Sequence, residues 1–419
     1  MEKIRNNPLP VIFFTVFVDL IGFGILIPII PLLLADPGSP YYLLPVGFSI
    51  QSGYVLLGFL TATFPLMQFV ATPILGQLSD KFGRKKILAV SLLGTCLSYL
   101  IFAFGIVTRN IPLLFAARAF DGITGGNIAV AQAAIADVTT PTNRAKNFGL
   151  IGAAFGLGFI LGPYIGGKLS DPTVVSWFSA PTPFLFAAIL SFLNVLSVLF
   201  IFPETLKVKM GHVVINWTKS IKNVVHAYGM RELRPLFISF FLFQSGFGFF
   251  VTFFSVFLIT RFGFNQGNIG DYFSYVGLWV AFTQAVITRL LSRRLAEYQI
   301  LRVSILGMGM VMPLYFLPTV WWQLLFIAPF FAMFNGLSQA NSAGLISRSV
   351  DNSVQGEILG INASVQALAQ AIPPMLSGFI AAKLSPETPI LVGSTVIICG
   401  WIVFMLFHKP VHPIHVPED

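Results

Sequence analysis

The chain has 419 residues, 56% of them hydrophobic and 10% charged, with a mean hydropathy of +0.83. A soluble domain carries roughly 25% charged residues, so this composition excludes an ordinary water-soluble protein and points to one that crosses a membrane many times. The net charge of +9 comes from 25 Lys and Arg against 16 Asp and Glu, and because the cations sit in short loops beside apolar runs, no nucleic-acid partner is needed to explain it.

Residues 1–7 carry Lys3 and Arg5, and the apolar run 9–34 that follows is too long, and lacks the small-residue cleavage site, for a removable signal peptide. It reads as a first membrane helix starting in the cytoplasm. Asp19 lies about nine residues, or ~14 Å, along it with no partner on its own helix, a placement that suits a carboxyl able to gain and lose a proton. Further spans are predicted at 53–75, 87–107, 112–136, 148–168, 184–203, 236–260, 270–291, 301–318, 321–345, 358–382 and 390–408, each near the length a bilayer requires. The expected architecture is all-α, with twelve helices and both termini inside. Its orientation follows from the cations, which crowd into the loops assigned to the cytoplasm and leave only Arg109, Lys168, Arg261 and Lys383 outside.

Between the second and third spans lies a dense polar cluster, Gly76-Gln-Leu-Ser-Asp80-Lys-Phe-Gly83-Arg84-Lys85-Lys86, expected to be a tight turn in water. Gly76 and Gly83 would permit close approach and reversal, and Asp80 and Arg84 would bond helix ends. A charge cluster that only sets topology is the competing reading. In the fourth span Arg118 and Asp121 stand three apart on one face near mid-membrane, which makes them functional candidates, with a purely structural ion pair as the rival. The same span carries Asn127, Gln132 and, at its inner end, Asp137. The fifth holds Gly158, Gly162, Pro163, Gly166 and Gly167, a spacing suited to close helix packing with a bendable backbone.

Residues 204–233 form the longest polar segment and divide the chain into bundles at 1–203 and 234–419. Within it, 217–226 has the spacing of a short amphipathic helix on the anionic inner leaflet, or is a flexible linker. The second bundle has no ionisable residue in mid-membrane and offers Gln244, Gln284, Asn335, Gln339, Asn341, Asn362 and Gln366 instead, a wall suited to an uncharged or amphiphilic ligand. The bundles are copies. Gly122 to Asn127 is echoed by Gly336 to Asn341 (336 − 122 = 214), Pro163 and Gly167 by Pro374 and Gly378 (374 − 163 = 211), and Ile87 to Gly94 by Ile300 to Gly307 (300 − 87 = 213). Copies with an even number of helices have the same topology, which predicts a cavity between them, with Asn127 and Asn341 on facing walls. The second copy reverses the loop charges, Arg293 standing for Asp80 and Glu297 for Arg84. Cys96 and Cys399 lie in apolar runs and the five histidines in the middle loop or tail, so no disulfide framework, metal site or cofactor is expected.

The pattern G-x-L-x-D-x-x-G-R-K-K at 76–86 resembles the signature loop of the major facilitator superfamily, and Asp19 to Pro31, Arg118 with Gly122, and the run 156–167 resemble the first-, fourth- and fifth-helix motifs of its twelve-helix drug:proton antiporters. The stretch 122–137 is similar to the tetracycline-efflux branch. This resemblance implies a monomeric, proton-coupled exporter of a small amphiphilic compound, working by alternating access in the bacterial inner membrane and driven by the proton gradient. It implies that Asp19, Arg118 and Asp121 couple the proton, and that Asp80, Arg84, Lys85 and Asp137 form a cytoplasmic latch. A solute importer or facilitator on the same fold is the alternative.

Overall fold

The computed structural model describes residues 8–139, 144–207, 215–349 and 355–407. Lys3, Arg5, Lys209, His212, Lys409 and the tail histidines lie outside the described residues, as do the side chains of Arg144, Lys146, Arg348 and Glu357. Among the described residues helix is the only regular structure: α1 Leu9–Leu34, α2 Ile50–Phe82, α3 Arg84–Val107, α4 Ile111–Thr124, α5 Asn127–Val138, α6 Arg144–Leu169, α7 Thr182–Phe200, α8 Lys219–Gly229, α9 Arg234–Phe262, α10 Gln266–Phe282, a π turn Thr283–Ile287, α11 Thr288–Leu291, α12 Glu297–Leu314, α13 Leu324–Arg348, α14 Gln355–Lys383 and α15 Thr388–Phe407. Among the described residues, nine continuous helical runs are long and apolar enough to cross a membrane.

Local chemistry sets many of the ends. The Ser49 hydroxyl accepts the Ser52 N–H at 3.3 Å at the start of α2, and the Asn110 side chain accepts the Leu113 N–H at 3.1 Å at the start of α4. Gly263 closes α9 in the left-handed conformation, φ 66°. Two expectations fail. The polar cluster 76–86 is not a loop but two helix ends, α2 running on to Phe82 and α3 starting at Arg84, with Gly83 at φ 101° as the only break. Only glycine adopts that φ at little cost, so one residue makes the whole reversal. The span expected at 112–136 is also two helices, interrupted at Gly125–Gly126. Two adjacent glycines weaken the helix, and their bareness brings it onto α2: a Cβ on Gly126 would stand 3.0 Å from the Thr72 Cα, and one on Gly125 2.9 Å from the Phe64 ring.

The chain resolves into two compact units. Unit 1 comprises residues 1–53, 63–218 and 264–274, and unit 2 comprises 54–62, 219–263 and 275–419. Lipid is as apolar as leucine, so close packing rather than water exclusion must hold the helices together. In unit 1 the core gathers Ile12 and Val16 of α1, Leu88 and Leu92 of α3, Val130 and Ala134 of α5 and Val198 of α7. In unit 2 an aromatic cluster joins α9, α13 and the residue just past α12 at centroid distances of 4.4 Å (Phe250 to Phe331) and 4.8 Å (Phe254 to Tyr315). The amphipathic segment of the linker is helical, as α8, with Ser220 and Ala227 buried and Asn223 donating to the Ser364 hydroxyl at 3.1 Å.

Candidate functional site

Unit 1 holds a buried charged cluster. Arg118 Nη1 lies 2.9 Å from Asp121 Oδ2, and both side chains are almost fully enclosed. The spacing of three along α4 puts them on one face, and the guanidinium lies over the Phe64 ring, 4.5 Å from its centroid. Thr95 and Ser98 of α3 reach the Asp121 carboxylate, while Arg118 Nε has no partner. Beside the pair is a small pocket lined by Leu26, Ser98, Tyr99, Phe102, Ala117, Arg118, Asp121 and Phe184. Asp19 of α1 neighbours Asp121 and Asn127, whose side chain reaches toward its carboxyl, yet neither Asp19 oxygen has a well-formed hydrogen bond. An unsatisfied buried carboxyl is costly wherever it occurs, and most of all within a membrane.

The break in the fourth span belongs to this site. It frees backbone carbonyls that an unbroken helix would bond, and Gln68 Nε2 of α2 donates to the Gly125 oxygen at 2.7 Å. The motifs do not single out Gln68. The available signal was one amide in an otherwise apolar second span, whose partner cannot be read without the break.

A second cluster gathers at the α2–α3 reversal. Arg84 is buried; its Nη1 lies 2.6 Å from Asp80 Oδ1 and 2.5 Å from the Ser79 hydroxyl, and its Nε 3.0 Å from Asp137 Oδ2. Thr205 also donates to Asp137, at 3.2 Å. The α3 N-terminus is bonded not by the loop's own charges but by Glu204, whose carboxylate accepts the Arg84 N–H at 2.9 Å and the Lys85 N–H at 3.3 Å. That is the geometry expected of an acid at a helix N-terminus. Gly76 corrects another expectation: a Cβ there would meet nothing within 4 Å, so no helix approaches it. In α6, a Cβ on Gly162 would stand 2.8 Å from the Gly24 Cα of α1, on Gly158 2.5 Å from the Leu20 Cβ and on Gly166 2.7 Å from the Ile25 oxygen. Three glycines one turn apart thus seat α1 against α6.

In unit 2 the Gln339 amide of α13 donates to Gln244 of α9 at 2.8 Å, and Asn341 turns back to the Leu337 carbonyl at 2.8 Å. Asn335 and Asn362 each bury an oxygen without a partner. Gln284 lies half-buried in the π turn, Gln366 is half-buried and Gln132 of unit 1 is exposed. Asn127 and Asn341 are both buried. Among the described residues no group of three or more His, Cys, Asp or Glu is placed to hold a metal ion.

The family model described as the Major Facilitator Superfamily matches residues 12–374. The tetracycline resistance protein, class H, of Pasteurella multocida is 34% identical over 380 residues, covering 90% of this chain and 89% of that protein. The class C protein of Escherichia coli is 33% identical, with 88% and 89% covered. Among solved structures, a D-xylose-proton symporter superposes with a TM-score of 0.76 at 15% identity, covering 96% of this chain and 97% of that one.

Proposed function

Since the chain belongs to the Major Facilitator Superfamily, we propose that it exports a small amphiphilic drug in exchange for protons, by alternating access, as a multi-pass protein of the inner membrane. The observation that carries this reading is the buried Arg118–Asp121 pair with Asp19 beside it, neither Asp19 oxygen in a well-formed hydrogen bond. An arginine next to a carboxylate favours its charged form, and a conformation that separates them lets the carboxyl take a proton, so proton occupancy and conformation become linked. Asp19 and Asp121 hold the coupling proton, and Arg118 sets when Asp121 releases it.

The drug is held by hydrogen bonds and apolar contact rather than by a counter-charge in unit 2, where Asn335 and Asn362 present unsatisfied amide oxygens. Relatives that confer tetracycline resistance make tetracycline the first compound to test. The protein works on binding and release, not on covalent chemistry; its partners are the drug, protons and the bilayer, and it acts as a monomer. A solute importer or facilitator is the second reading, since the same fold serves a proton-coupled sugar symporter.

The deciding experiment is flux in proteoliposomes with an imposed pH gradient and a compound panel headed by tetracycline. Uptake into inside-out vesicles that are acid inside supports export, and transport in the direction of the proton supports import. Full gradient-driven flux in both Asp19→Asn and Asp121→Asn overturns the coupling assignment.

A further inference from the structure

The repeat recurs in the packing, at two seams that mirror each other. In unit 1 the start of α10 lies on the end of α6. A Cβ on Gly270 would stand 2.6 Å from the Pro163 oxygen, and one on Gly167 2.5 Å from the Gln266 oxygen, so backbone meets backbone. In unit 2 the start of α2 lies on α14 in the same manner, Gly58 against the Pro374 oxygen and Gly378, at its Cβ position, 2.7 Å from the Tyr54 oxygen. The partners correspond one to one. Gly58 and Tyr54 match Gly270 and Gln266 at 212 positions (270 − 58; 266 − 54), and Pro163 and Gly167 match Pro374 and Gly378 at 211 (374 − 163; 378 − 167).

One residue past the glycine on each helix the copies part company. In unit 1 those positions are Lys168 and Asp271, whose Nζ and Oδ2 are 2.8 Å apart with side chains 31% and 49% exposed. In unit 2 they are Phe379 and Phe59, with ring centroids 5.6 Å apart and planes at 85°. Neither member of the ion pair belongs to a proton-coupling or latch cluster, and both lie at the end of the spans that the charge bias assigns to the outside.

We propose that Lys168 and Asp271 are positioning residues that bolt the α6–α10 seam electrostatically, while Phe59 and Phe379 bolt the α2–α14 seam by aromatic packing, so that opening toward the outside breaks one salt-sensitive and one salt-insensitive fastening. The proposal rests on the alternating-access reading. A half-exposed ion pair is screened by salt, with a Debye length of about 10 Å at 0.1 M and about 3 Å at 1 M, whereas edge-to-face packing of two rings carries no net charge to screen.

The test uses the full chain with Cys96→Ser, Cys399→Ser and a reporter Ser274→Cys. Ser274 lies one turn inward of Gly270, and its hydroxyl donates to the Ile160 carbonyl at 2.8 Å. Labelling with a membrane-impermeant maleimide from outside reports opening of this seam. Asp271→Asn should raise the labelling rate about two- to fivefold, the range a half-exposed pair supports. Salt should raise the rate of the parent but not of Asp271→Asn, and the exchange Lys168→Asp with Asp271→Lys should restore both slow labelling and salt dependence. Phe59→Ala should speed labelling at every salt concentration and keep the dependence. Unchanged labelling in Asp271→Asn, or salt dependence that survives it, overturns the proposal. Labelling needs neither drug nor proton gradient, so a failure of the export reading in the flux assay leaves this result standing, and the reverse also holds.

Discussion

The fourth span and its copy, α13, begin from matching sequence and arrive at different physics. Asp121 corresponds to Asn335 and Asn127 to Asn341, each 214 positions on (335 − 121; 341 − 127), while Arg118 corresponds to Ala332 and Gly125 to Gln339. The first copy is broken at two glycines and buries an ion pair; the second runs unbroken from Leu324 to Arg348 and bonds through neutral amides. One copy of the helix thus buries charge and the other only neutral amides, and it is on this difference that the proposed division between proton handling in the first copy and drug binding in the second rests.

The sharpest way to break this comparison is to make the first copy resemble the second. Asp121→Asn should abolish gradient-driven flux and, by stranding the Arg118 charge, lower stability by about 3–5 kcal/mol. The double variant Arg118→Met with Asp121→Asn should recover most of that stability, measured by thermal unfolding in detergent, but none of the flux; recovery of both would leave the pair purely structural. Gly126→Ala should strengthen the helix locally but press a methyl onto Thr72 and Leu75, lowering stability by about 1–3 kcal/mol, which the same melt reports.

Arg84→Ala should reduce turnover by shifting the conformational balance ~1–3 kcal/mol, and Arg84→Asp with Asp137→Arg should regain part of it; equal loss in both, read as flux, removes the pairing from the mechanism. The smallest effect belongs to the neutral copy. Gln339→Ala breaks one amide bond to Gln244 and should cost about 1 kcal/mol, with drug affinity falling severalfold in equilibrium binding and proton coupling intact.

Much of this was legible from the residues alone. Apolar runs locate the helices because a bilayer demands about 20 such residues in a row, and Arg118 with Asp121 stands out because charge there is costly. The Arg84–Asp137 pair follows from matching the loop to a known motif. What could not be read is whatever depends on a distant neighbour. Glycines are tolerated in membrane helices, so Gly125–Gly126 looks like packing until Thr72 and Gln68 are seen against it. The helical length of 76–82 was hidden because its polar residues suit a loop and an emerging helix end equally. Phe59 and Phe379 are two phenylalanines among 44 until the fold brings their edges together.

Glu204 has a consequence for how the chain is made. The carboxylate that ties down the Arg84 and Lys85 amides lies 120 residues downstream of Arg84, just past the sixth span. A ribosome delivers the α2–α3 reversal long before it delivers this acid, so during synthesis the Arg84 and Lys85 amides wait without their carboxylate acceptor. The clasp therefore closes only after residue 204 has been made, so a reversal whose own residues come early is completed late.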